Sequence, residues 1–323
     1  IATGALEFAN IKQTSLRALR QGSAQSDAED GRTYGDPGDG SARRLEWTPG
    51  VEHIAILFAP AMSRSATAWA GASISHDLTI GYLDRRMLWV ALVYAGGLLL
   101  IWLALGLLPK RPAAADGAAG GWRRAALELG PAIATPLVLS RLPTGWAPIL
   151  VGGYVAGFFA VYGLLQWLIA SGLGIRLRPL AGLRGLGAGW LMIAGVGGLL
   201  LLLLGGVAQA FYLNFLPTGG RLPWLAAFVI VLLPYFLVDA AIARSGWGVL
   251  GARALFLLAI TAGIALRSDA GFLLLILPLF AVFFALTALI AARLRERSAP
   301  LVAAAIAALL FGWMLGVALP YTG

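Results

Sequence analysis

The chain has no cysteine, which removes disulfides, thiolate nucleophiles and cysteine metal sites from consideration. Histidine is scarce as well: His53 and His76 are the only two, too few for a histidine-rich metal site. Charged residues are 12% of the 323, against about a quarter in an average soluble domain. No G-x-x-x-x-G-K-[ST] occurs, so nothing points to a phosphate-cradling loop or to ATP-driven transport. The net charge is +9, but the arginines stand between apolar blocks, where they set membrane topology rather than bind nucleic acid. No cofactor and no nucleic acid is expected as a partner. The expected partner is the lipid bilayer.

What is present in excess is apolar sequence. Hydrophobic residues are 59% of the chain, and the mean hydropathy is +0.83. Residues 87–108 contain no charge at all, and a bilayer crossing needs about 20 such residues. Eight apolar segments are legible, at 87–108, 125–142, 147–171, 188–212, 222–243, 249–266, 271–292 and 300–319. The second is the least regular, because it holds Glu128, Pro131 and Pro136. The expected architecture is therefore a mostly α, polytopic bundle of about eight helices over residues 81–323, preceded by a water-soluble segment, residues 1–80.

Arginine placement predicts the orientation. Twelve Lys and Arg flank the connections after segments 1, 3, 5 and 7, Arg244 and Arg253 among them. The opposite side holds five: Arg85, Arg86, Arg141, Arg221 and Arg267. Basic short loops stay cytoplasmic. The alternation requires segment 2 to cross, which gives eight crossings with both termini outside. The composition resembles bacterial usage, so the expected location is a bacterial inner membrane with a periplasmic N-terminal segment.

The soluble segment reads as strand (1–4), weak helix (11–19), loop (21–42), strand (43–48) and helix (59–74), the last with Pro60 in its first turn. Strand–helix–strand–helix predicts parallel α/β architecture. Two short strands need neighbours on both sides to form a buried parallel sheet. The segment is thus expected to be the end of a larger domain, in keeping with a chain that opens on Ile1 rather than Met.

Two short motifs sharpen this. Gly4-Ala5-Leu6-Glu7 follows the first strand, and Pro49-Gly50-Val51-Glu52-His53 follows the second. The arrangement resembles the C-terminal part of an α/β-hydrolase, in which a late strand delivers the triad's acid and the last strand its histidine. The resemblance implies Glu7 as acid and His53 as base, in the family's chain order of serine, acid, histidine. It implies acyl hydrolysis of an ester or lipid-like substrate. The chain departs from the family in having no G-x-S-x-G, so the nucleophile and its oxyanion hole are missing and these 323 residues alone should be inactive.

Two ionisable residues interrupt the apolar blocks, Asp239 and Glu128. Such residues are costly inside a membrane and mark function by default. Asp239 is expected to snorkel or to pair with Arg244, and Glu128 to pair with Arg124 at i,i+4. Alternatives to a membrane-anchored serine hydrolase are a transporter or channel, and an anchoring or assembly protein without hydrolase activity.

Overall fold

The computed structural model of the chain describes residues 1–52, 55–81, 83–110, 121–175, 177, 186–212, 215–242, 246–267 and 270–322. Contacts divide it into two units, Ile1–Leu92 and Val93–Gly323.

In the first unit, β1 (Ala2–Gly4) runs parallel to β4 (Glu46–Thr48), pairing Ala2 with Glu46, Thr3 with Trp47 and Gly4 with Thr48. The connection contains α1 (Ala9–Ser23), longer than its periodicity predicts. Ala24 ends α1 in the left-handed region, φ 55°, and its N–H closes back on Arg20 and Gln21. A small core of Leu19, Ala28 and Leu45 packs with Leu16, Tyr34 and Trp47.

The 21–42 stretch is not all loop. It contributes β2 (Thr33–Tyr34), antiparallel to β3 (Arg43–Arg44). The single strand expected over 43–48 is accordingly two, divided at Leu45, whose fully buried side chain turns into the core. Between β2 and β3, Asp36 accepts from Gly38 N at 2.8 Å and Asp39 from Ser41 N at 2.7 Å, so short polar side chains shape the turn. α2 (Pro60–Ser73) starts on a proline, whose fixed φ and missing N–H suit a first turn.

The second unit is helical. Seven helices among the described residues are long and apolar enough to cross a membrane, marking an integral membrane protein. They are α3 (Arg86–Leu107), α5 (Gly152–Gly172), the continuous stretch Gly187–Tyr212, α9 (Leu222–Ala241), α10 (Gly246–Ala265), α11 (Leu273–Arg295) and α12 (Pro300–Ala318). The stretch Gly187–Tyr212 comprises α6 (Leu186–Met192), α7 (Gly198–Leu201) and α8 (Val207–Tyr212), separated by π-turns at Ile193–Gly197 and Leu202–Gly206. α4 (Trp122–Leu139) is not among the seven: its 18 residues include Arg123, Arg124 and Glu128.

Side-chain contacts give each helix its direction. α5 and α9 are parallel, because Gly152 lies against Phe228 and Gly163 against Tyr235. α12 is antiparallel to α9, with Gly312 on Val229 and Gly316 on Leu225. The 187–212 stretch follows α12, with Gly197 on Leu309 and Gly205 on Trp313. α3 opposes that stretch, with Tyr94 donating to Leu204 O at 2.9 Å and Gly97 against Leu203. α11 parallels α3: Arg293 stacks on Trp102, and Arg297 reaches Gly106 O and Leu108 O. α4 opposes α5, with Gly157 on Leu139 and Gln166 on Leu127 O, and α10 parallels α4, with Gly263 on Pro136 and Arg267 on Leu139 O. Taken in chain order, the eight long passages alternate in direction without exception. α4, about 27 Å long at 1.5 Å per residue, therefore runs opposite to both α3 and α5.

Four helices, α9, α10, α11 and α12, converge on Phe159 of α5. Its ring meets Tyr235 at 5.0 Å, Phe236 at 5.6 Å, Phe256 at 4.6 Å, Phe284 at 5.9 Å and Phe311 at 5.3 Å. These rings are essentially inaccessible, and offset and edge-on pairs add to what burial alone contributes.

Candidate functional site

The first candidate lies at the C-terminal ends of β1 and β4. The turn carrying Glu7 and the turn leading to His53 are bonded through their backbones. Ala5 N donates to Thr48 O at 2.8 Å and Leu6 N to Val51 O at 3.0 Å. Gly4 makes this contact possible: a Cβ there would lie 2.3 Å from Val51 O and 2.9 Å from Glu52 Cα. Lys12, one turn into α1, donates to Ala5 O and holds the first turn from below. Glu52 anchors the second, its carboxylate accepting from Ala55 N at 2.9 Å and its carbonyl from Ile56 N at 3.1 Å. Glu7 itself is buried. His53 lies outside the described residues.

The second candidate is inside the bundle. Asp239, near the end of α9, pairs with Arg253, two turns into α10, at 2.5 Å. Arg253 also donates to the Tyr235 hydroxyl at 2.7 Å and stands over the Phe284 ring, 4.8 Å from its centroid. Both charged groups are at most 10% exposed. The expected partner, Arg244, lies outside the described residues. Arg253 is a correction to the loop-charge count, because it is a buried helical residue with a buried counter-ion.

Glu128 departs from its predicted pairing. Arg124, one turn earlier, forms no ion pair with it. Glu128 instead approaches Gln166 of α5, whose Nε2 donates to Leu127 O at 3.3 Å and lies 3.5 Å from the Glu128 carboxylate. The proline explains the amide. Pro131 has no N–H to give to Leu127 O, and in a lipid setting the freed carbonyl must be satisfied by a neighbour. Tyr162 completes the arrangement by donating to Glu128 O at 3.2 Å.

Asp239 and Glu128 thus stand at one end of the bundle, at the end of α9 and the start of α4, joined through the Tyr162 and Tyr235 rings 5.8 Å apart. The sequence showed neither Gln166 nor Tyr162 as polar partners, because a proline's orphaned carbonyl identifies its donor only once the helices are packed.

Three further arginines act at helix ends. Arg221 donates to Gly316 O at 2.7 Å and Leu319 O at 2.9 Å, capping α12. Arg267 donates to Leu139 O at 3.3 Å and Leu142 O at 3.2 Å, capping α4. Arg297 caps α3 through Gly106 O at 3.3 Å and Leu108 O at 3.2 Å. A guanidinium at a helix C-terminus satisfies the last carbonyls and opposes the dipole. Two of the five basic residues counted against the orientation are therefore capping groups. Of the twelve basic residues on the other side, Arg111, Arg176, Arg178 and Arg184 also lie outside the described residues.

Comparison of the chain with protein families, with curated proteins and with solved structures returned no match in any of the three.

Proposed function

We propose that the N-terminal unit provides the acid and the base of a serine-hydrolase triad, Glu7 and His53, to a serine carried by chain outside these 323 residues. The bundle would anchor that site at a membrane and bring ester or lipid-like substrates to it. The observation that supports this most is the parallel β1–β4 pair with its two following turns locked together at Leu6 N–Val51 O, 3.0 Å. A triad needs its carboxylate within hydrogen-bond reach of its imidazole, so that the acid holds the tautomer and stabilises the imidazolium, and turns that follow two paired strands bring such residues near one another.

The alternating directions of the eight passages support eight crossings, with the basic connections inside. On that reading both termini are outside, and the N-terminal unit is periplasmic in a bacterial inner membrane. The packed rings around Phe159 support an anchor over a conduit, since they fill the bundle's centre with side chains.

The test is ester hydrolysis by the full-length gene product, read with 4-nitrophenyl esters and a fluorophosphonate label. His53→Ala should abolish turnover, and Glu7→Gln should lower kcat by roughly 10⁴-fold, as for loss of a triad carboxylate. The 323-residue chain by itself should neither turn over nor take the label. Full-length activity indifferent to His53→Ala, or labelling of the 323-residue chain, would overturn the reading.

A further inference from the structure

The N-terminal unit has a second concave feature. A cleft of about 480 Å³ opens between the β2–β3 hairpin and α2, within the about 300–1,000 Å³ of small-ligand sites. It lies by Arg44 and Glu46, at the start of β4, whereas Glu7 and the Val51-Glu52 stretch follow the C-terminal ends of β1 and β4. The two features are therefore separate.

Its charges are unequally matched. Glu46 receives the Ser65 hydroxyl at 2.5 Å and lies 3.6 Å from Arg44 Nε, so its carboxylate is already engaged. Arg44 also reaches Thr33 Oγ1 at 3.5 Å. Arg64 lines the same cleft and has no hydrogen-bond or ion-pair partner among the described residues. Two guanidiniums against one carboxylate leave an excess of one positive charge. The neighbouring acid, Asp36, is turned to Gly38 N at 2.8 Å and is not part of the lining. The remaining wall is apolar: Trp69 with Ala68 and Ala72, on α2.

We propose that this cleft binds a small organic monoanion, a carboxylate whose apolar body lies along Trp69 and the α2 alanines while its charge meets Arg64 and Arg44. A planar guanidinium matches a carboxylate in two parallel hydrogen bonds. A dianionic phosphate would bring excess charge against Glu46, and a neutral molecule would leave Arg64 unmatched. The site is independent of the hydrolase reading and places an anion sensor or effector site on the same unit.

Benzoate is the probe, with benzamide as its neutral isostere and inorganic phosphate as the anion without a body. The 323-residue chain in phosphatidylcholine nanodiscs is titrated by calorimetry and by saturation-transfer NMR. Benzoate should bind, with benzamide and phosphate each about tenfold weaker or more, the scale of a charge-assisted hydrogen bond. Arg64→Gln should weaken benzoate about tenfold or more. Ala68→Trp, which fills the cleft without touching a charge, should abolish binding. Arg64 and Ala68 are exposed, so both variants should fold, checked by an unchanged circular dichroism melt. Absence of benzoate binding, equal binding of benzamide, phosphate binding as tight as benzoate, or benzoate affinity unchanged in either variant would overturn the proposal.

Discussion

α3 and α12 have the same mean hydropathy, 2.3, yet 78% of α12 is buried inside the bundle and only 11% of α3. The difference is one of size. α12 buries Ala303, Ala304, Ala307, Ala308, Gly312 and Gly316, so neighbouring backbones approach it closely. α3 exposes Leu88, Leu92, Leu99, Leu100, Leu103 and Leu107. In a bilayer the lipid tails are as apolar as leucine, so hydropathy drives insertion but not association; close packing and interhelical polar contacts do that. One helix is built to meet protein and the other to meet lipid.

The sharpest test of that division is the charge pair in the interior. Asp239→Leu or Arg253→Met alone should cost about 3–5 kcal/mol by stranding a buried charge. The double variant should recover most of the loss, since replacing both partners with apolar groups is often neutral. Unfolding of the chain in mixed micelles measures all three. Equal instability of single and double variants would show that the pair does more than neutralise itself.

Packing follows. Gly312→Leu should destabilise by about 1–3 kcal/mol, because a Cβ there already lies 2.7 Å from Val229 Cγ2 and 3.1 Å from its backbone nitrogen. Gly96→Leu, on α3 with open space around it, should leave the melting temperature unchanged or raise it, as glycine weakens a helix interior. If the two variants behaved alike, the lipid-facing assignment of α3 would fall.

A smaller effect is expected at the helix ends. Arg267→Met removes the donor to Leu139 O and Leu142 O and should cost about 1 kcal/mol. Arg141→Met, an exposed arginine at the same end of α4, should cost nothing measurable in the same unfolding assay. The contrast separates a capping arginine from one that only sets topology.

The smallest is a pH effect. Lys110 donates to Glu296 and holds its carboxyl below its ordinary value of 4.5, with Arg297 adding to the attraction. A carboxyl lowered in the folded state stabilises at higher pH, and that contribution disappears as pH falls through the folded value. A slight loss of stability below about pH 4.5 should therefore flatten in Lys110→Met. The pair is exposed, so the change will be small.

Much of the bundle was legible in the sequence because crossing a bilayer demands long apolar runs. The doubtful second segment is a helix running opposite to α3 and α5. In the first unit, the strand ends and the α2 start were marked by Gly4, Pro49-Gly50 and Pro60. The β2–β3 pair was not, because each strand has only two residues and the surrounding composition is that of a turn. Of the intramembrane candidates, Asp239 and Glu128 stood out as isolated charges, while their partners Arg253 and Gln166 looked like a loop charge and an ordinary polar residue.

Composition and spacing by themselves determined that this chain inserts in a membrane, roughly where each passage begins and ends, and which two turns follow the parallel strands. Those properties depend on local hydropathy, proline, glycine and charge, which the chain carries without reference to its neighbours. Only the tertiary structure decided that α12 is central and α3 peripheral, that Arg253 neutralises Asp239, and that Gln166 answers the carbonyl Pro131 leaves open. Each of those depends on which side chain another helix presents within a few ångströms, and neither hydropathy nor charge encodes that distance.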